Sequence, residues 1–295
     1  IYWGLFQTQE RSDSAFAESY MGPEREDYDV IKTHGMYASD GNRDAIDRLY
    51  DETMLILNNN DIERYYRIQG LNPDGTPNPN YERLLDVDNI IDFMIIEYYT
   101  GDRDGPASRY TVRPNNTYAI YNRVHPDGFK WLHHDNEHTL GAGSAELNMV
   151  EPFTTAGAQR QHFNVHWQHQ ELANVNIDYR LHFADHVYKH FFNGGLLTAE
   201  KAREYIQMRA DQIDMAIIAE SARWGDAKRS TPFTKQDWLN EIDRLLYDSS
   251  DKRLITDRVP TVISQFRNVG WYPSIEPPAW SQHGGEVPKG YSLTM

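Results

Sequence analysis

Three carboxylates in the middle of this chain have the type and setting to handle a divalent cation and a hydroxyl proton. Asp104 lies in the Gly/Pro loop "DRDGPASR", while Asp135 and Glu137 lie in "FKWLHHDNEHTLG", where an apolar strand-like run gives way to a glycine turn. A loop aspartate can orient or deprotonate an accepting hydroxyl, and strand-end carboxylates can hold magnesium. Phosphoryl transfer asks for little more, because positioning and charge neutralisation supply most of its catalysis. Taken one at a time, turn aspartates are also ordinary turn formers.

The same stretch spells a second chemistry. His134, Glu137 and His138 read H-x-x-E-H, the inverted zinc-protease signature, in which two His hold the metal and the Glu activates water. That site needs a helix, since four-residue helical spacing is what points both imidazoles the same way. The aromatic and apolar run before it and the glycines after it are poor helix material. A second series, His182, His186 and His190 in "LHFADHVYKHFF", does sit at one-turn helical steps. It reads either as a metal-binding stripe or as interfacial side chains beside Phe183, Phe191 and Phe192. His162, His166 and His169 fall in irregular context and are weak metal candidates.

The totals bound what these groups serve. At 295 residues the chain suits one large domain or two ordinary ones, with a sizeable core. A formal charge of -15 argues against a nucleic-acid surface or an anionic membrane, and suits cations or a neutral or basic partner. With no cysteine there is no disulfide framework, thiolate metal site or cysteine nucleophile. No apolar run approaches the ~20 residues of a bilayer span, and no basic-then-apolar leader opens the chain. Opening at Ile1 in strand-like "IYWGLFQTQE", it reads as a processed or trimmed piece of a longer protein.

Several elements must position the carboxylates. Strand formers over Ile1 to Phe6 predict a strand leading to Glu10, followed by a short helix in "DSAFAESYMG" and a strand in "DYDVIKTHG". Asn42 or Asp40 caps a helix over "RDAIDRLYDETMLILNN". "DVDNIIDFMIIEYYTGD" is apolar on nearly all sides and predicts a central helix capped by Asp86 or Asp88 and closed by Gly101. "YTVRPNNTYAIYNR" and "GFKWLHHD" predict two strands joined at "HPDG". The stretch after Gly141 predicts loop. Beyond it come one helix over "QELANVNIDYRLHFADHVYKHFF", one after Thr198, one after Thr234, and one over "RVPTVISQFRNVG" with Pro260 near its start. The tail from Trp271 predicts an extended, partly mobile segment. The pattern is α+β, with the polar loops concentrated in the middle.

Several blocks together resemble a known family. "YWGLFQTQERSDSAFAESYMG", "EDYDVIK", "YYRIQGLNPDGTPNPNYERLLDVDNIIDFMIIEYYTGDRDGP", "FKWLHHDNEHTLG" and "FADHVYKHFFNGGLLT...AIIAESARWGD" resemble the CotH kinase family, named for spore coat protein H, over roughly residues 1–273. They are most similar to the large secreted bacterial members with a D-x-E rather than a D-x-D motif. The resemblance implies an atypical protein-kinase-like fold with a truncated, strand-containing N-lobe and a predominantly helical C-lobe, residues 274–295 forming a tail. It implies transfer of the ATP γ-phosphate to protein serine with Mg2+ or Mn2+, in a secreted or cell-envelope setting. Asp104 would be catalytic, Asp135 and Glu137 would hold the metal, and Glu10 would partner a basic nucleotide-contacting residue.

Two positions depart from the family pattern. Its metal-binding Asn five residues after the catalytic Asp is Arg109, and its Trp before the proline is Gly105. Arginine has no acceptor and cannot ligate magnesium, but it can pair with a phosphate or stand as a fixed cation, so Arg109 is assigned to the cofactor side. The family's phosphate-gripping basic residues would lie before Ile1. These departures leave a second expectation open, a weakened or inactive domain serving as a binding or structural part of an extracellular or envelope assembly.

Overall fold

A computed structural model describes residues 2–22, 24–32, 37–111, 114–140, 145–150, 164–247, 254–283 and 285–295. In chain order these form α1 (Ser14–Tyr20), β1 (Tyr28–Lys32), β2 (Tyr37–Asp40), α2 (Asp44–Asn59), α3 (Ile62–Arg67), α4 (Val87–Thr100), β3 (Thr117–Asn122) and β4 (Lys130–His133). Then follow α5 (Val165–Val175), α6 (Ile177–Phe191), α7 (Ala199–Trp224), α8 (Lys235–Leu246) and α9 (Leu254–Asn268). The architecture is α+β, one small antiparallel sheet of order β2-β1-β3-β4 among many helices.

Both faces of the sheet are covered, and alternation along the strands decides what each face meets. Tyr28, Val30, Tyr118 and Ile120 pack with Ala17 of α1, while Ile31, Ala119 and Tyr121 join the main core. That core centres on α4, which packs against β4, α5, α6 and α9. Its Ile90, Ile91, Met94 and Ile95 are wholly buried, as an all-round apolar helix requires. Asp86 caps it by accepting from the Asn89 N–H at 3.1 Å. Gly101, at φ +65°, closes it with its N–H on the Glu97 carbonyl, a left-handed turn that glycine makes without strain.

The last carbonyls of α4 meet a buried cation. Arg258 of α9 donates from Nε to Tyr99 O at 2.7 Å and from Nη2 to Tyr98 O, and its Nη1 reaches Ala145 O and Leu147 O, both at 2.7 Å. A guanidinium suits the negative end of the helix dipole and satisfies carbonyls the helix leaves unpaired. Burial pushes it down to about 10, so it remains charged at neutral pH.

Some expected elements differ. Residues 2–6 form no strand; they lie on α7, where Glu220 accepts from Tyr2 Oη at 2.9 Å and Leu5 N at 2.8 Å. No described strand pairs with them, and strand propensity alone does not hold an extended segment in a sheet. The single helix expected after Gln168 is two, because Asn176 ends α5 and accepts from Tyr179 N at 2.9 Å to begin α6. The last helix starts before Arg258, which places Pro260 inside α9. Arg43, not Asn42 or Asp40, is the cap residue of α2, though Asn42 Oδ1 accepts from Asp44 N at 2.8 Å. The tail is anchored where it begins, with Trp271 and Tyr272 buried in the core. Much of the loop expected after Gly141 lies outside the described residues.

Candidate functional site

The end of α4 delivers the chain directly into the loop that carries Asp104. There the backbone turns on two carboxylates, Asp104 N donating to Asp102 Oδ1 at 2.8 Å. The Asp104 carboxylate is held by three side-chain donors: Ser108 Oγ on Oδ1 at 2.7 Å, and Asn115 Nδ2 and Asn116 Nδ2 on Oδ2 at 3.0 and 3.2 Å. An ionised carboxylate offers about four lone-pair sites, so three fixed donors orient it and leave about one acceptor direction open. That is the arrangement expected of a group that takes a proton from a positioned hydroxyl.

Asn115 and Asn116 come from the approach to β3. The strand expected over 110–123 begins only at Thr117, and "PNN" before it is irregular, bending at Asn116. Asn116 takes a left-handed backbone, φ +44°, and so does Asp135, φ +55°, at the end of the neighbouring strand. Asn and Asp are among the few residues that adopt this region readily. His134 N donates to Asn116 O at 3.1 Å, continuing the β3–β4 pairing to this point. The Asn116 amide also approaches Asp135 O at 3.3 Å, so one side chain links the Asp104 loop to the strand-end motif.

The 135–140 turn is fastened to the same loop by backbone bonds, Arg103 N to His138 O at 3.2 Å and Leu140 N to Thr100 O at 2.9 Å. Tertiary structure therefore brings the Asp104 loop and the Asp135 turn together. The Asp135 and Glu137 side chains are exposed, and Glu137 Oε1 lies 3.4 Å from His138 Nε2.

Behind them is a buried acidic layer that sequence reading missed. Glu97 and Asp102 are 4 % and 1 % exposed. Glu97 Oε1 meets His133 Nδ1 at 2.8 Å, His133 stacks on Phe93, and Asp102 Oδ2 accepts from Asn136 Nδ2 at 3.2 Å. Burial, and then the neighbouring Glu97, push the Asp102 carboxyl up to about 7. Gly105 makes this layer possible, since a Cβ there would stand 2.4 Å from Glu97 Oε2 and 3.0 Å from Asp102 Oδ2. The available signal was "GDRDG", two aspartates after a helix-ending glycine; Glu97 was hidden inside an otherwise apolar helix.

A cationic edge flanks the other side. Lys32 ends β1 in register with Tyr118, and its Nζ lies 5.3 Å from the centre of that ring. His134 packs edge-on against the same ring, and its imidazole is pushed down by burial and then by Lys32, with Arg11 adding to the effect. Lys32 and Arg11 thus both act on His134, the residue before Asp135.

The remaining candidates are placed as follows. Arg109 Nη2 donates to Asn148 O at 2.6 Å, which directs the guanidinium toward the 148–149 segment. Glu10 Oε2 accepts from Tyr20 Oη at 2.6 Å beside α1. The zinc arrangement does not form. β4 ends at His133, so His134 and His138 lack helical spacing; their rings lie on Tyr118 and Tyr110, and neither belongs to a metal-spaced group among the described residues. His166 and His169 are core residues, His169 Nδ1 meeting Tyr179 Oη at 2.7 Å, while His162 lies outside the described residues.

The candidate ligands here are the carboxylates of Asp104, Asp135 and Glu137, since Asn115 and Asn116 turn their amide nitrogens to Asp104, and none of the three carboxylates belongs to a metal-spaced group among the described residues. Carboxylate oxygens suit a hard cation such as magnesium, and a nearby cation would ease the Glu97 repulsion that adds to burial in raising Asp102. No curated protein and no solved structure matches the chain. The family model described as CotH kinase protein does match, over residues 1–247, a span that includes the Asp104 loop, the Asp135 turn and the Lys32 strand. With most of its length and every part of this site inside that match, the chain belongs to the CotH kinase family.

Proposed function

We propose that this chain is a phosphotransferase domain with an atypical kinase-like fold, moving the γ-phosphoryl group of ATP to the hydroxyl of a protein serine. The observation that carries the reading is the triply held Asp104 carboxylate, linked through Asn116 to the Asp135 turn. Asp104 would accept the serine proton as the oxygen bonds to phosphorus, and ADP would leave. Asp135 and Glu137 would hold Mg2+ or Mn2+, which when bound neutralises phosphate charge. Lys32 and Arg11, which both act on His134 beside Asp135, would meet the polyphosphate, with Glu10 and Arg109 proposed at its periphery. A secreted or envelope setting is proposed on the resemblance alone; among the described residues no helix is long and apolar enough to cross a membrane.

A second reading rests on Arg109. Where the family pattern has an amide that can ligate a metal, this chain has a guanidinium hydrogen-bonded to a backbone carbonyl. This favours a weakened or inactive domain that serves a binding or structural role in an extracellular assembly.

One experiment separates the two. The chain is incubated with γ-labelled ATP and Mg2+ or Mn2+, alone and with serine-rich peptides, beside Asp104→Asn. Label on serine that disappears in the variant supports transfer. No label, together with no ATP-dependent rise in Tm, overturns it in favour of the structural role; a ligand at 100 times its Kd would stabilise by about 2.7 kcal/mol.

A further inference from the structure

The seam between α4 and α6 carries a second cluster of ligating side chains. Histidines 182, 186 and 190 recur at four-residue steps on α6, and Asp88 and Asp92 do the same on α4, so each series forms one stripe along its helix. The stripes face each other and run in the same direction. Asp88 Oδ1 meets His182 Nε2 at 2.5 Å and His186 Nε2 at 3.4 Å, and Asp92 Oδ1 meets His186 Nδ1 at 2.6 Å and His190 Nε2 at 2.9 Å.

We propose that Asp88, His182 and His186 form a metal site for a first-row transition ion, Zn2+ being the best match, that joins α4 to α6. Their three donor atoms lie within 4.8 Å of one another, so a modest inward movement of the side chains would bring them to the roughly 3.4 Å separation of tetrahedral ligands with bonds of about 2.0–2.1 Å. The set is two imidazoles and one carboxylate, leaving a fourth position for water. Imidazole selects zinc, nickel or copper over magnesium, so this site and the acidic site after α4 would take different ions.

The group behind the ligands decides which trio is used. A ligating histidine typically donates its other ring N–H to a carboxylate, which fixes the tautomer and aims the lone pair. His186 has that arrangement: Nδ1 is turned to Asp92, itself also held by His190, and Nε2 is turned to Asp88 and His182. Using Asp92 and His190 as ligands instead would turn His186 Nδ1 to the metal and leave only Asp88, at 3.4 Å from Nε2, to orient the ring from behind, a longer contact than the 2.6 Å one that Asp92 makes with Nδ1. Asp92 and His190 are therefore positioning residues. The ion would clamp the first half of α4, whose last turn supplies Glu97 and whose end leads into the Asp104 loop.

The test is a titration of the full chain with Zn2+ in millimolar Mg2+, with Co2+ as a spectroscopic probe. The expected result is one tight equivalent of Zn2+, which displaces Co2+ and abolishes its tetrahedral visible bands. His182→Gln, a substitution at a half-exposed position, should leave the circular dichroism unchanged and weaken binding at least tenfold. Asp92→Asn should weaken it by roughly ten- to a hundredfold. The proposal is overturned if the chain takes up no Zn2+ under these conditions, if His182→Gln binds as the parent does, or if His190→Gln abolishes binding while His182→Gln does not.

Discussion

Asn116 places one amide nitrogen 3.2 Å from Asp104 Oδ2 and 3.3 Å from the Asp135 carbonyl, so the residue proposed to take a proton and the turn proposed to hold a metal share one donor. Removing the Asp104 carboxylate by Asp104→Asn should lower kcat by about 10²- to 10⁴-fold, the range of general-base catalysis, with a smaller loss of Tm because an amide can accept on only one of the two oxygens that Ser108, Asn115 and Asn116 now share. Asn116→Ala keeps the base and removes its tether, so it should produce a smaller loss of kcat. Steady-state phosphotransfer beside thermal melts checks both, and an Asn116→Ala enzyme with unchanged kcat would remove the proposed link.

Asp102 predicts a pH dependence of stability. Folded, it holds its proton to about pH 7, whereas an ordinary Asp releases it near 3.8. The stability contributed by that proton is present below about pH 4 and is lost as pH rises toward 7. At about 1.4 kcal/mol per pH unit, the roughly three-unit rise limits the loss to about 4 kcal/mol. Urea titrations from pH 5 to pH 8 should show the native chain losing stability relative to Asp102→Asn, and Mg2+ should narrow the gap. Parallel profiles would show that Asp102 is not the responsible group.

Gly105 is a position of space. A methyl group there would meet Glu97 Oε2 at 2.4 Å, and Glu97 is held on its other oxygen by His133. Gly105→Ala should displace the Glu97 carboxylate and lower stability by about 1–3 kcal/mol, the usual cost of overpacking. Chemical denaturation measures the loss, and the His133 ring resonances should shift with it.

Arg258 satisfies four backbone carbonyls from the end of α4 and from the 145–147 segment. Arg258→Met should destabilise by about 3–5 kcal/mol, because those carbonyls would stay buried without their donors. Arg258→Lys should recover only part of this, since an ammonium cannot reproduce the fork. A Tm for Arg258→Lys equal to that of the native chain would refute the role.

Local chemistry made much of the fold legible. The α4 segment showed its apolar surface, its Gly101 stop and a cap at Asp86 or Asp88, of which the fold uses Asp86; Thr198 and Thr234 marked the helices they cap; and β3 and β4 were visible as strands around "HPDG". The Asp104 loop and the Asp135 turn were also recognisable, because turn residues at element ends are signals written in a few adjacent positions. What sequence could not determine was which groups would meet. Asn115 and Asn116 became partners of Asp104 only when the β3–β4 pairing carried them there, and Glu97 and Asp102 became a buried acidic layer only once α4 was enclosed by its neighbours. The facing stripes of Asp88 and Asp92 against His182, His186 and His190 are about 94 residues apart in sequence. Caps and periodicity are set by neighbours within one turn, whereas burial, pKa and ligand geometry depend on the chain that folds over them.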